Sequence, residues 1–195
     1  MESKLQVEIR QTKPFANMKE ELWLNLSRTT SALGHTLEHQ LRARGLSATQ
    51  YNVLRILRGA GADGLCQWEI GARLVAQVPD VPRILERMVK AGWVQRVRGT
   101  EDRRVVLASL TDTGRALVGE LDQPLVAMML AMFPAMAEEE IVLLNELLVK
   151  ARAGVPESGC EEQGQVTPLH RLIPKLKPSF VPAADERPTL KPRRT

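Results

Sequence analysis

Apolar residues recur at helical spacing along most of the chain as far as residue 153, and this pattern predicts a mostly helical protein. The first predicted helix runs from about Pro14 to Ala43. Its length of 30 residues is unusual for a globular helix and indicates an interface beyond its own domain. Its apolar face consists of Met18, Leu22, Leu26, Leu33, Leu37 and Leu41.

Three shorter helices are predicted next. The first of them begins after Ser47, where Ser-Ala-Thr-Gln forms a capping box, and ends at residues 59–61, Gly-Ala-Gly. A further helix is predicted from Gln67 to about Ala76. The last of the three begins after Asp80, a favourable N-cap, and Pro82 in its first turn removes no helical hydrogen bond.

Two strands and two more helices complete the predicted order. Trp93 to Arg98 and Arg104 to Leu110 have the pattern of strands joined by a turn at residues 99–102. Thr111 can cap the following helix, and the acidic residues 138–140 begin the last one. Two short helices joined by a tight turn and followed by a β-hairpin predict a winged helix-turn-helix.

Basic residues are concentrated on the fourth predicted helix and the hairpin. The whole chain carries a net charge of +4, whereas residues 80–104 alone contain seven basic and four acidic residues. A helix fits the DNA major groove, which is about 12 Å wide, so double-stranded DNA is the predicted partner. The candidate DNA-binding residues are Asp80, Pro82, Arg83, Glu86, Arg87, Lys90, Arg96, Arg98, Asp102, Arg103 and Arg104.

Two motifs in this region are typical of one family. Asp102-Arg-Arg104-Val-Val-Leu-Ala-Ser-Leu110-Thr-Asp-Thr-Gly114 has an Asp-x-Arg tip, an alternating strand and Leu-Thr-x-x-Gly. Upstream, residues 81–88 and then 90–96 match a recognition helix and the turn into a wing. Residues 46–114 therefore resemble the multiple-antibiotic-resistance regulator (MarR) family of bacterial transcription factors, and the order of helices extends the resemblance to residues 14–153.

The resemblance implies a mostly α fold with a small β-wing, built as a winged helix-turn-helix plus a helical dimerisation domain. Residues 46–110 would form the DNA-binding domain, and residues 14–45 and 111–153 would form the two parts of the dimerisation domain. The implied assembly is an obligate homodimer, which would account for the length of the first helix.

Family motifs also imply roles for individual residues. Arg104 matches the arginine that reaches DNA at the wing tip, Asp102 matches the acid that orients it, and Arg103 is expected to meet phosphate. Arg83 and Arg87 fall where the recognition helix faces the groove. Pro82 departs from the family pattern, which has a small polar residue there, so base preference at that position is open.

The predicted function is that of a sequence-specific transcriptional regulator, a ligand-responsive repressor that binds a pseudo-palindromic operator. A small-molecule effector between the dimerisation and DNA-binding parts would change the spacing of the recognition helices and release the DNA. No enzymatic activity, cofactor or metal is expected. The amino-terminal residues lack an apolar signal segment, and the longest apolar run, residues 125–133, is too short to span a membrane, so a cytoplasmic protein is expected.

Two local motifs suggest alternative functions. His35-Thr-Leu-Glu38-His39 fits the HxxEH pattern of zinc peptidases, which leaves a zinc-dependent hydrolase as one alternative. A catalytic zinc needs a third protein ligand and a cleft, and no later acidic motif supplies that ligand. Residues 59–64 fit the GxGxxG pattern of dinucleotide sites, but these glycines follow a predicted helix where such a site needs a strand.

Two further alternatives concern regulation and partners. Cys66 lies at the predicted start of a helix, a position that favours a thiolate and leaves oxidant sensing open. A protein-interaction adaptor that keeps the winged fold without binding DNA is supported only by Pro82 and the proline-rich tail. That tail, residues 154–195, holds seven of the twelve prolines and some basic clusters, and it is predicted to be disordered.

Overall fold

The computed structural model describes residues 3–98 and 105–155. The chain divides into two compact units, Met1–Ala137 and Glu138–Thr195. The helices are α1 (Lys4–Glu8), α2 (Met18–Arg42), α3 (Ala48–Ala60), α4 (Gln67–Arg73), α5 (Val81–Lys90), α6 (Asp112–Met132) and α7 (Glu138–Ala153), and the strands are β1 (Leu65–Cys66), β2 (Val94–Arg98) and β3 (Val106–Leu110). This mostly helical architecture with a small sheet confirms the predicted fold class.

The sheet has three antiparallel strands in the order β1-β3-β2. The hairpin pairs Val94 with Leu110 at its base and Arg98 with Val106 at its outer described end. The sequence predicted only the two hairpin strands, and β1 was missed. This strand has two residues, and its pairing of Leu65 with Ala108 depends on contacts with a distant part of the chain.

The hydrophobic core lies where α3, α4, α5 and α6 meet the sheet. Its members come from most elements of the first unit, and Tyr51 is the aromatic residue among its buried members. The fully buried large side chains are Leu41, Leu54, Leu57, Ile70, Leu85, Met88, Leu125, Val53, Val94 and Val118. This core fixes the position of α5 relative to the hairpin.

The amino-terminal helix boundaries differ from the prediction. The long helix α2 begins at Met18, and the predicted start at Pro14 was wrong because Asn17 is the N-cap. The Asn17 Oδ1 atom accepts hydrogen bonds from the backbone N–H groups of Lys19 and Glu20, at 2.9 and 3.1 Å. The sequence analysis also missed α1, a single five-residue helix in front of it.

The helix α4 ends earlier than its apolar pattern suggested. It stops at Arg73 because Leu74 adopts an extended backbone conformation. The next backbone N–H group, that of Val75, donates to Asn52 Oδ1 on α3 at 2.9 Å. This bond fixes the turn that leads from α4 towards α5.

Other boundaries agree with the prediction. The capping box at Ser47 is present at the start of α3, and Thr111 caps α6 by accepting a hydrogen bond from the Gly114 N–H at 3.0 Å. Pro124 lies inside α6, where it removes one helical backbone hydrogen bond. Within the described residues, no helix combines the length and apolar character needed to cross a lipid bilayer.

Candidate nucleic-acid interface

The helix α5 presents a polar, mainly basic face to solvent. Asp80 caps the helix through Oδ1, which accepts from the Arg83 N–H at 3.0 Å, and Pro82 occupies the first turn. Leu85 and Met88 anchor the opposite face in the core. The residues on the exposed face are Pro82, Arg83, Glu86, Arg87 and Lys90, as the sequence analysis expected. Two arginines and a lysine against one glutamate give this face a positive charge.

Arg96 connects the hairpin to the beginning of α5. This residue lies on β2, and its Nη2 atom donates a hydrogen bond to the carbonyl oxygen of Pro82 at 3.2 Å. Charge alone placed Arg96 among the predicted DNA-binding residues. The structure gives its guanidinium a second role, which is to hold the first turn of α5 against the sheet.

The remaining candidates, Arg98 and residues 102–104, follow Arg96 along the chain. Arg98 is exposed and ends β2. Asp102, Arg103 and Arg104 lie outside the described residues, so their predicted roles stay predictions. The structure thus brings seven of the predicted residues together. Six of them lie on α5 or at its N-cap, and the seventh, Arg96, lies beside them on β2. Arg98 lies at the end of the same strand.

The base of the hairpin is held by the Leu-Thr-x-x-Gly motif. The Thr111 Oγ1 atom donates to the carbonyl oxygen of Gly92 at 2.6 Å, and the Thr111 N–H donates to the carbonyl oxygen of Trp93 at 3.1 Å. A Cβ atom on Gly114 would lie 2.0 Å from the Trp93 oxygen, so only glycine fits at this position. In the sequence the motif is recognisable only as a family signature, because the close approach of Gly114 to Trp93 arises in the folded chain.

A cavity of about 400 Å³ lies between α4, α5 and the sheet. It is lined by Cys66, Gln67, Trp68, Leu85, Arg96, Val105, Val106 and Ala108. The indole of Trp68 at its edge is 70% exposed, and sequence reasoning missed it because the lining comes from separate elements. The cavity lies within the winged part, whereas the effector was expected between the winged and dimerisation parts.

The structure gives Glu38 of the HxxEH motif a structural partner. Its Oε1 atom accepts a hydrogen bond from the backbone N–H of Ala48, in the first turn of α3, at 3.1 Å. His35 and His39 are exposed on α2. Within the described ranges, no three His, Cys, Asp or Glu side chains are grouped closely enough to hold a metal ion.

The glycines of the GxGxxG pattern have structural roles at the end of α3. Gly61 is the C-cap residue, and its φ of 72° is typical of a helix-terminating glycine. Gly64 also has a positive φ, and a Cβ atom there would lie 2.6 Å from the carbonyl oxygen of Ala108. The pattern follows a helix, so the strand that a dinucleotide site requires is absent at this place.

An ion pair links α3 to α6 beside the core. Arg58 Nη1 lies 2.5 Å from Asp122 Oδ2, and this hydrogen bond raises the pKa of the guanidinium although burial opposes it. Burial raises the pKa of the nearby Tyr51 hydroxyl. The Arg55 guanidinium carbon lies 5.9 Å from the centroid of the Tyr51 ring, within cation–π range. The positive charge of Arg55 lowers the pKa of Tyr51 and so opposes the effect of burial.

Sequence comparison places the winged part in a known family. Residues 46–106 match the profile of the MarR family. The chain is 30% identical to the HTH-type transcriptional repressor YetL of Bacillus subtilis over 96 residues, which span 49% of this chain and 58% of YetL. It is also 30% identical to the HTH-type transcriptional regulator PecS of Dickeya dadantii over 124 residues, which span 63% of this chain and 75% of PecS.

Solved structures share the architecture. A MarR transcription factor from Planctomyces limnophilus is 32% identical, with a TM-score of 0.54 over 70% of this chain and 98% of that one. A mutant MarR from E. coli complexed with operator DNA is 24% identical, with a TM-score of 0.64 over 71% and 99%. The matched relatives are transcriptional regulators, which confirms the non-enzyme prediction and makes the zinc-hydrolase alternative wrong.

Proposed function

The chain belongs to the MarR family of DNA-binding transcriptional regulators, and from that premise we propose that it acts as a homodimer on double-stranded DNA. Each subunit places α5 in a major groove, and the hairpin of β2 and β3 lies against the adjacent backbone. The two grooves are successive ones on a pseudo-palindromic operator, with centres about 34 Å apart.

The exposed face of α5 is the observation that carries this proposal. Leu85 and Met88 are buried on one side of the helix, so Arg83, Arg87 and Lys90 are all turned to solvent. The Arg96 contact with Pro82 holds the first turn of α5 in place. Because the helix is already fixed, DNA binding loses less conformational entropy. The fold is shared with an E. coli MarR that was solved in complex with operator DNA.

The hairpin tip extends the proposed interface. Arg104 reaches DNA with its guanidinium oriented by Asp102, and Arg103 meets phosphate, as the family motif implies. Arg98 at the end of β2 is exposed on the strand that leads to this tip. The sequence motif supports the proposed DNA contacts of residues 102–104, and the described strands β2 and β3 support the proposed contact of the hairpin with DNA.

Homodimerisation is supported by apolar side chains that the single chain leaves exposed. On α2, Met18 and Leu22 are exposed, as are Leu143 and Leu147 on α7. Exposed apolar surface of this kind marks a protein interface. We assign residues 14–45 and 111–153 to dimerisation and residues 46–110 to DNA binding. Of the tail predicted for residues 154–195, all residues from 156 onward lie outside the described part of the chain.

Regulation follows from the same arrangement. A small-molecule effector that prefers one spacing of the two α5 helices shifts the dimer away from the spacing that fits the operator. The action is repression, by analogy with the name of the repressor YetL. Because the proposed target is operator DNA, the proposed site of action is the cytoplasm.

DNA binding is tested with Arg83→Ala and Arg87→Ala. A duplex is first selected from a randomised pool with the wild-type chain, and affinities are then measured by fluorescence anisotropy over a range of salt concentrations. Each variant should lose about 1–3 kcal/mol of binding free energy. The wild-type logarithmic salt slope should be steep, with about −0.9 for each phosphate contact.

Lys4→Ala is the matched control. It also removes one positive charge from an exposed helical position, but it lies on α1, outside the residues assigned to DNA binding and to dimerisation. This variant should bind DNA like the wild type. A flat salt response of the wild-type chain would contradict the proposal and favour the adaptor.

A further inference from the structure

The helix α6 belongs to two environments. Val118, Leu121 and Leu125 in its first part are buried in the winged core, whereas Val126 and Leu130 beyond them are exposed. Met128, one turn after Pro124, is partly buried against the same core, so the helix leaves the core after Met128. The direction it takes there fixes where its second part lies relative to α5.

Pro124 lies one turn before α6 leaves the core. Pro124 has no N–H group, so the carbonyl of Glu120 four residues earlier lacks its helical hydrogen-bond partner. Proline inside a helix is a common cause of bends. The backbone hydrogen bonds of α6 therefore constrain the direction of the helix axis least at Pro124.

Two ion pairs fix the turn just before Pro124. Glu120 Oε2 lies 2.7 Å from Arg44 Nη1, just after the end of α2, and Asp122 Oδ2 lies 2.5 Å from Arg58 Nη1 on α3. Both carboxylates are within four residues of the proline. This helical turn of α6 is thus held by ion pairs to Arg44, which follows α2, and to Arg58 on α3, next to the missing backbone hydrogen bond.

The two ion pairs differ in their exposure to water. The side chains of Arg58 and Asp122 are 35% and 39% exposed, compared with 46% and 60% for Arg44 and Glu120. A less exposed pair is less screened, and removing one partner leaves the other charge poorly compensated. Arg58 and Asp122 are therefore the stronger of the two connections.

We propose that Arg58 and Asp122 are positioning residues for DNA binding, which fix the direction of α6 at Pro124 and thereby the separation of the two α5 helices in the dimer. This inference rests on the proposed function. It follows from the way that the ion pair joins α3, part of the winged core, to the helix that continues into the proposed dimerisation part.

The test measures spacing discrimination by the full-length protein. The wild-type chain selects a duplex from a randomised pool, and variants of that duplex gain or lose one base pair between the half-sites. One base pair moves a half-site by about 3.4 Å and turns it by roughly a tenth of a turn. The ratio of the affinities for the original and altered duplexes is the discrimination.

Asp122→Asn removes the charge and keeps the size of the side chain. We expect its discrimination to fall by roughly 2- to 30-fold, the range for residues that modulate coupling between sites. Asp122→Glu keeps the charge and should retain most of the wild-type ratio. Glu8→Gln breaks the Arg28–Glu8 ion pair between α1 and α2, which is also short at 2.7 Å, and should leave the ratio unchanged.

The outcomes separate the two proposals. Equal loss of affinity for every spacing, or no change in the ratio, would overturn the positioning role while DNA binding stands. If the wild-type chain enriches no duplex, the proposed function fails and this inference fails with it. If Asp122→Asn does not fold, Arg58→Gln, which removes the positive charge from the other side of the ion pair, is measured instead, and the same fall in the ratio is expected.

Discussion

The helices α3 and α7 are both rich in aliphatic residues, but they bury them to very different extents. On α3, Val53, Leu54 and Leu57 are 0% exposed. On α7, no residue is buried, and Leu143 and Leu147 are 55% and 51% exposed. The apolar residues of α3 are therefore covered by their own chain, whereas those of α7 are left exposed by it.

The same difference occurs within α6. Its first part contributes Val118, Leu121 and Leu125 to the winged core, and its second part carries exposed apolar residues such as Leu130. Burying a leucine contributes about 1.5–3 kcal/mol, so a face left exposed forgoes a large stabilisation. The winged core is thus covered by its own chain, and the exposed apolar residues of α7 and of the second part of α6 are the ones available to the proposed dimer interface.

The largest effect that can test this comparison comes from the core of α3. Leu57→Ala removes a fully buried side chain and should lower the free energy of unfolding by about 2–5 kcal/mol, because it loses transfer energy and leaves a cavity. Urea denaturation followed by circular dichroism measures this loss. The loss should be present at every protein concentration.

Leu147→Ala is the matched substitution on α7. It removes the same atoms from an exposed position, so it should mainly weaken self-association, which sedimentation measures. Its effect on denaturation should grow as the protein is concentrated, since a dimer is stabilised by mass action. A concentration-independent loss as large as that of Leu57→Ala would refute the comparison.

A smaller effect is expected from two glycines of α6. A Cβ atom on Gly114 would lie 2.0 Å from the carbonyl oxygen of Trp93, whereas one on Gly119 would meet nothing within 4 Å. Gly114→Ala should cost about 1–3 kcal/mol or more, because the backbone at the hairpin base must move. Gly119→Ala should instead stabilise the protein by up to about 1 kcal/mol through helix propensity.

Thermal denaturation of the two alanine variants measures this contrast. Gly114→Ala should also weaken DNA binding, since the hairpin is anchored at Trp93 and Thr111. If both glycine variants have the stability of the wild type, the hairpin base is looser than the structure shows.

Much of the winged part was predictable because its signals are local. Ser47 and Asp80 cap α3 and α5 through bonds to residues three positions away, so the sequence pattern alone located both helix starts. The start of α2 was predicted at Pro14 because proline suits the first turn of a helix, but Asn17 is the N-cap. The strand β1 has no local signal, since two residues pair only with a distant strand.

The candidate site divides in the same way. The exposed face of α5 follows from helical periodicity, and its residues were predicted correctly as a surface. The bond from Arg96 to the Pro82 carbonyl depends on how β2 packs beside α5, which charge pattern cannot reveal. The same is true of Arg58 and Asp122, which are 64 positions apart in sequence and meet only in the folded chain.

The smallest predicted effect compares two N-caps, one in each region. Ser47 Oγ accepts from the Gln50 N–H at 3.2 Å, and Gln50 Oε1 accepts from the Ser47 N–H at 2.9 Å, next to the core. Ser47→Ala should cost about 1 kcal/mol of unfolding free energy.

Asn17→Ala removes a comparable N-cap hydrogen bond at the start of α2. Met18 in this first turn is 86% exposed, so this end of the helix can fray without unfolding the core. Asn17→Ala should therefore change global unfolding little while increasing amide hydrogen exchange in the first turn of α2. Equal losses from the two variants in urea would show that α2 unfolds together with the winged core, and the boundary between the two regions would have to move towards the amino terminus.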